Sequence, residues 1–294
     1  LIKKEHHLTI FKTQFMSRPV RIEFPGAVYH VTSKGSDGQI VFGDADDRGV
    51  FLNVLDNVVA RFGWLIHSYV LMDDHYDLVI EVPKANLSKG MRQLNGVYTQ
   101  HVNRRHGQEG PIFHGRFKSI LLEKKNYLLP VCRHVVTNPV RLKSAPSFSS
   151  YKWSSYRALA GQVKAPTFLH KADVLNHFGK REKDAQRKYR EYVKQGAGED
   201  SPLEQRTNQV LLGSNRFLSE MQPILQGERI LKRGPIAAKR RRSLNALFKK
   251  VENKTRGERN ELMKKAHVDF GYTLMQIGDH LGLHYTTVSK VINA

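Results

Sequence analysis

Two strand-like runs, 64–72 and 75–83, stand with only Asp73-Asp74 between them. Two acidic turn residues between β-rich runs call for a tight antiparallel hairpin. Helical patterns flank it. Upstream, Asp44 is placed to cap a helix on which Phe51, Val54, Leu55, Val58, Val59 and Phe62 share a face, and Gly63 ends it. Downstream, Asn86 is placed to cap another, with Leu87, Met91, Leu94, Tyr98 and Val102 in one stripe. Arg104-Arg105-His106-Gly107 closes that helix with positive charge. Residues 24–33 read as a strand entered through Pro25-Gly26, and 111–123 as a strand pair or a strand with a loop. A third helix is expected from Asn126 to Asn138, because Pro139 cannot continue it. With Asn126 as cap, Pro130 falls in the first turn, where its missing N–H has no intrahelical partner to lose. This order of strand, helix, hairpin, helix, strand and helix gives an α+β class, helices packed on a mostly antiparallel sheet.

Charge narrows the function. The chain carries 48 Lys and Arg against 27 Asp and Glu, a formal charge of +21. Such an excess points to a polyanion, nucleic acid or an anionic membrane surface, rather than to small acids or sugars. No apolar run approaches the roughly 20 residues that span a bilayer. Residues 1–15 hold no apolar signal core, so a membrane partner is not expected and the cytoplasm is the expected address. Met16-Ser17-Arg18-Pro19 reads like a natural start, which makes 1–15 an upstream, flexible extension. A single cysteine, Cys132, leaves no disulfide framework and no cysteine-based zinc site within one chain.

The cations are concentrated. Residues 84–143 hold twelve Lys and Arg, among them Arg104, Arg105, Arg116, Lys118, Lys124, Lys125 and Arg133, and only Glu109 and Glu123 as acids. Tyr98, His101, Phe113, His114, Phe117 and Tyr127 are interleaved with them. Cations that track a backbone, beside rings on which unpaired bases stack, suit single-stranded nucleic acid. A second basic zone, 227–294, includes Lys239, Arg240, Arg241 and Arg242 in one run. Within it, 272–294 spell two helices about Gly282, with Leu274, Ile277 and Leu281 on one apolar face and Val288 and Ile292 on the other. Tyr285, Thr286, Thr287, Ser289 and Lys290 lie near the start of the second helix, where side chains reach base edges or phosphates of a major groove. The stretch resembles the helix-turn-helix of initiator-type and repressor DNA-binding domains.

Five ordered segments carry a wider resemblance. They are 16–33 (Met-Ser-Arg-Pro-Val-Arg-Ile-Glu-Phe-Pro-Gly-Ala-Val-Tyr-His-Val-Thr-Ser), 68–81 (Ser-Tyr-Val-Leu-Met-Asp-Asp-His-Tyr-Asp-Leu-Val-Ile-Glu), 86–96 (Asn-Leu-Ser-Lys-Gly-Met-Arg-Gln-Leu-Asn-Gly), 113–119 (Phe-His-Gly-Arg-Phe-Lys-Ser), and 133–141 together with Trp153-Ser-Ser-Tyr-Arg. Together they resemble the single-tyrosine HUH transposases of the smallest bacterial insertion sequences, in particular the REP-associated tyrosine transposases. The resemblance implies a ferredoxin-like antiparallel sheet with packed helices, followed here by an all-helical C-terminal region. It also implies binding of folded single-stranded DNA hairpins and metal-dependent strand cleavage.

In such a site two histidines at i and i+2 on a strand hold a divalent cation that polarises the scissile phosphate. A tyrosine on a helix attacks phosphorus, and a polar residue one turn on adds a ligand. This chain departs from the pattern twice. The strand pair reads His75-Tyr76-Asp77, and the position of the tyrosine is His134, with Asn138 four residues later. The resemblance therefore makes His75, Asp77 and Asn138 the metal ligands, for Mg²⁺ or Mn²⁺, the hard cations that a carboxylate suits. It puts His134 in the place of the nucleophile. His134 equally suits an extra ligand or a packed, hydrogen-bonded histidine. Tyr76, Tyr98 and Tyr127 read as packing residues with satisfied hydroxyls.

The expectation is a transposase-like domain over 16–160 that recognises a single-stranded hairpin with strand cleavage weakened or lost. A helical extension and linker over 161–226 and a basic duplex-binding domain over 227–294 follow. One alternative is an active metal-dependent nicking enzyme with a non-tyrosine nucleophile, and another a domesticated transcriptional regulator on duplex DNA. The expected partner is DNA, in a nucleoid-associated setting, with a homodimer possible.

Overall fold

The expected element order is built as β1 (Ala27–Lys34), α1 (Ala45–Phe62), β2 (Leu65–Leu71), β3 (His75–Val82), α2 (Leu87–His106), β4 (Lys118–Leu122) and α3 (Lys124–Arg141). This computed structural model describes residues 22–36, 39–196, 198–225, 243–249, 251–268, 270, 272 and 274–293. The strands lie in the order β2-β3-β1-β4, each neighbouring pair antiparallel, which is the ferredoxin-like arrangement. A fifth strand, β5 (Leu211–Leu212), adds in parallel to β4 and makes the sheet mixed. The hairpin turns at Asp73-Asp74, where the amide of Met72 donates to the carbonyl of His75 at 2.8 Å.

Strand alternation divides the sheet into two faces. Tyr76 and its face-mates on β3 look toward α1 and α2: its ring lies 4.6 Å from that of Phe51, and its hydroxyl reaches Asn95. Phe42, Phe51, Tyr98 and Phe113 complete an aromatic cluster under these helices. The opposite face carries His30, His75, Asp77 and Glu81 and is covered by α3, whose Leu128, Val131, Cys132, Val135 and Val136 are buried.

Local signals are realised unevenly. Asp44 caps α1 as expected, accepting from the amides of Asp46 and Asp47 at 2.9 Å, and Gly63 closes it in the left-handed region. Asn86 stands at the start of α2, but its side chain is spent elsewhere. It accepts from Trp64 Nε1 at 2.9 Å and donates to the carbonyl of Phe62, while Glu23 takes the amide of Ser88. Helix α3 corrects the expected bounds at both ends. It begins at Lys124, because Glu123 is held by Ser214, and Asn126 merely donates to that carboxylate at 2.9 Å. It also runs through Pro130 and Pro139 to Arg141. A proline late in a helix forfeits one i→i−4 bond, and the burial of Val135, Val136, Asn138 and Pro139 outweighs that loss.

The segment after α3 folds back on the sheet. It contains α4 (Tyr156–Leu159), α5 (Ala172–Leu175), α6 (Glu182–Gln195), a 3₁₀ turn at Pro202–Gln205, β5 and α7 (Asn215–Leu225). Its pieces line both margins of the sheet. On β2, Leu71 donates to Trp153, Tyr69 accepts from Ser155, and Ile66 accepts from His170. On β4, Leu121 and Glu123 donate to Val210 and Leu212. The chain divides into compact units Leu1–Glu228 and Arg229–Ala294. The second contains α8 (Leu244–Leu247), a 3₁₀ turn, α9 (Arg256–Val268), α10 (Leu274–Leu281) and α11 (Tyr285–Asn293), closed over Phe248, Met263, Ala266, Ile277 and Val288. Gly278 admits no side chain there, since a Cβ would lie 2.5 Å from the carbonyl oxygen of Leu283. Among the described residues no helix is long and apolar enough to cross a membrane.

Two glycines on α2 make a paired test of this packing. A Cβ on Gly90 would fall 2.0 Å from the buried Trp64 ring, whereas Gly96 has nothing within 4 Å. Gly90→Ala is expected to destabilise by about 1–3 kcal/mol through overpacking. Gly96→Ala is expected to stabilise by about 0.5–1 kcal/mol through lost backbone entropy. Urea unfolding of the two variants reads both signs.

Candidate functional site

His75 and Asp77 sit two residues apart at the start of β3 and therefore share the face under α3. Antiparallel register sets Thr32 opposite Asp77 and puts His30 one step further along the same face of β1. On α3, His134 and Asn138 are one turn apart. These elements converge on one carboxylate. Asp77 is 5% exposed, with Oδ1 3.1 Å from His30 Nε2. Its Oδ2 accepts from Asn138 Nδ2 at 2.6 Å and lies 3.5 Å from His75 Nε2. The other nitrogen of His75 is 2.5 Å from Asp74, which also pairs with Lys34. Arg141 donates to the side-chain oxygen of Asn138.

The electrostatics follow from those contacts. Burial raises the pKa of Asp77, but hydrogen bonds and charge from His30 and His75 outweigh it and hold the carboxyl well below its ordinary value. For His75 burial acts downward, and Asp77 and Asp74 reverse it to a net upward shift. His134 has no such carboxylate contact. Burial, with Arg141 and His30 nearby, pushes it down to about 4, so its imidazole is neutral at neutral pH. The sequence-derived metal ligands are thus brought together but turned to one another. Asp77 has a partner on each oxygen, and Asn138 shows it an amide N–H while its oxygen faces Arg141. In this arrangement a cation would enter only by breaking the Asn138–Asp77 hydrogen bond and turning the amide of Asn138.

His134 opens onto a cleft of about 250 Å³, lined also by Tyr127, Arg133, Thr137 and Arg141. Arg133 stacks on Tyr192 at 4.4 Å and pairs with Glu199. Tyr127 donates to Gln205 at 3.2 Å, and Tyr98 to the carbonyl of Val41 at 2.7 Å. Tyr76 is buried between Ser33 and Asn95.

The cations expected to meet DNA divide in two. Arg105 is committed to the start of α1, donating to Asp44 at 2.7 and 2.8 Å and to Asp47 at 2.6 Å. Lys124 lies between Glu81 and Asp173, at 2.7 and 2.6 Å. By contrast Arg104, Arg116, Lys118 and Lys125 are exposed, and no ion pair of theirs occurs among the described residues. Lys118 stands opposite Thr32 in the same cross-strand row as Asp77, so it extends the site along its face. In the second unit Tyr285, Thr286, Thr287 and Lys290 are exposed on α11, with Ser289 half-buried. Lys239, Arg240, Arg241 and Arg242 lie outside the described residues, as do residues 1–15.

Two features were not read from the sequence. One is His30, although the alternation Tyr29, His30, Val31, Thr32 already sets it on the face opposite Tyr29. The other is a group that could hold a metal ion, His67, Glu81 and Asp173, assembled from β2, β3 and α5.

Two measurements check these assignments. Because unfolded His134 titrates near 6.5 and the folded residue near 4, the unfolded state binds more protons at this residue between those values. The contribution of His134 to stability therefore falls as pH drops through that window, while the raised His75 acts in the opposite sense. His134→Gln is expected to lower the slope of unfolding free energy against pH in that window relative to the parent chain. Arg105→Ala should lower the melting temperature with little change in the salt slope of DNA binding. Arg104→Ala should leave melting unchanged, and if Arg104 meets a phosphate it should reduce that slope by about 1.

Residues 27–127 match the family model described as Transposase IS200 like. The match includes His75 and Asp77 and ends before His134. A solved structure of a REP-associated tyrosine transposase bound to a REP hairpin aligns with 52% of this chain and 90% of its own, at 14% identity and a TM-score of 0.45. No curated protein sequence matches the chain.

Proposed function

We propose that this chain, with its IS200-like transposase match over 27–127, is a DNA-binding protein that grips a single-stranded hairpin and has weakened or lost the ability to cleave it. The observation that carries the reading is the imidazole of His134 in the place that the resemblance gives to the attacking phenol. It stands beside an Asp77 whose oxygens are already taken by His30 and Asn138. Mg²⁺ or Mn²⁺ at His75, Asp77 and Asn138 would have to displace that network, so no cleavage step is assigned to it.

The residues left have binding roles. Arg116, Lys118 and Lys125 are exposed cations placed to neutralise phosphates, and Lys118 continues the row of Asp77. The cleft beside His134 has room for one unpaired base, with Arg133 and Arg141 as well as Glu199 and Asp200 on its walls. In the second unit, α10 and α11 about Gly282 offer Tyr285, Thr286, Thr287, Ser289 and Lys290 to a duplex groove. The same reading gives a cytoplasmic, nucleoid-associated protein.

The test is incubation of the full chain with labelled hairpin DNA and Mn²⁺. A retarded complex without a denaturation-resistant adduct is expected, and its affinity should fall roughly 10³-fold between about 50 and 200 mM salt. A covalent adduct would overturn the loss of cleavage. A chain lacking 227–294 should keep hairpin binding and lose duplex binding, and loss of both would favour a duplex-binding regulator.

A further inference from the structure

We propose that His67, Glu81 and Asp173 form a second cation site, suited to a divalent ion that favours imidazole, such as Zn²⁺. In this proposal Lys124 fills the site with its ammonium group until such an ion displaces it.

The site begins with an irregularity. Between Ile66 and Ser68 the register of β2 against β3 slips, and His67 occupies the slip. Its side chain is 0% exposed, and Nε2 lies 3.0 Å from Glu81 Oε2 and 4.0 Å from Asp173 Oδ2. These three ligand atoms all fall within 4.8 Å of one another. His170 stands behind the group and orients it: its Nε2 is 3.3 Å from Asp173 Oδ1, the oxygen that does not face His67, and its ring centroid is 5.8 Å from that of His67. One imidazole and two carboxylates, with the fourth position left to water, make a donor set of the kind that holds zinc tetrahedrally, whereas Mg²⁺ asks for six oxygens. His67 Nδ1 is buried with no partner, so the ring is anchored through Nε2 alone, the atom that faces the group.

Lys124 shows that the place attracts a cation. Its Nζ contacts Glu81 Oε2 at 2.7 Å and Asp173 Oδ2 at 2.6 Å. It does so from a side chain 41% exposed, on a flexible four-carbon stem that can swing to solvent. A divalent ion in its stead would gain the His67 imidazole as a ligand beside the two carboxylates. The site is separate from the one around Asp77: Glu81 is four residues further along β3, about 13 Å away. A bound ion would join β2 and β3 to the segment after α3, because Asp173 belongs to α5 and His170 pairs with the edge of β2.

The experiment is equilibrium dialysis of the metal-stripped full chain against Zn²⁺, with a melting curve of each sample. One equivalent should be retained and raise the melting temperature. His67→Asn and Asp173→Asn should each lose that equivalent, while His75→Asn and Asp77→Asn keep it. Lys124→Met should bind at least about tenfold tighter, since it removes the competing charge. Co²⁺ in the Lys124→Met chain should give the absorption of a tetrahedral ion, which reads the site without the two ligand variants. Failure of Lys124→Met to retain Zn²⁺ would overturn the proposal, and so would retention that follows His75 and Asp77. Neither result depends on whether the chain binds hairpin DNA.

Discussion

A negative charge on a central strand has to be answered inside the protein, and the answer to Asp77 couples three elements. His30 comes from β1, His75 from β3 itself, and Asn138 from α3. Removing a buried charge from water is costly unless each of its oxygens is engaged. Here that requirement dictates where α3 lies: Asn138 must sit over β3, which places His134 one turn away, at the cleft. The same helix runs past Pro139 to Arg141, whose guanidinium fixes the amide of Asn138 in the orientation that Asp77 needs. The prolonged helix is therefore part of the ionic arrangement.

The plan of the first unit was legible because its signals are local. Asp44 caps α1 with contacts two and three residues away, the Asp73-Asp74 turn joins adjacent strands, and the apolar stripes of α1 and α2 follow the helical period. The failures share a different cause. Asn86 has the side chain of a cap, yet Trp64 and Phe62 compete for it across the fold. Asn126 loses its place because Glu123 is fixed by Ser214, far along the chain. Strand β5 is two residues long, too short for any period to announce it.

The candidate site divides along the same line. Motif order puts His75, Asp77, His134 and Asn138 forward, and they do meet at one place. What it misses is His30, whose partner is supplied by strand pairing. Charge counting has a similar blind spot. It treats every Lys and Arg as available, whereas Arg105 and Lys124 are consumed by carboxylates that sequence distance hides. Net charge describes attraction at long range, and only the fold tells which cations remain to touch a ligand.

The coverage of the sheet margins bears on assembly. A sheet whose outer strand offers a row of unpaired amides invites the same strand of another molecule to continue it. Along β2, backbone groups of Ile66, Tyr69 and Leu71 are engaged by residues 153–170, and along β4 those of Leu121 and Glu123 are engaged by residues 210–212. The stretch that follows α3 thus works as a pair of selvedges, finishing the cloth on both sides. At these covered stretches the described residues leave no free backbone row for the matching strand of a second copy to extend.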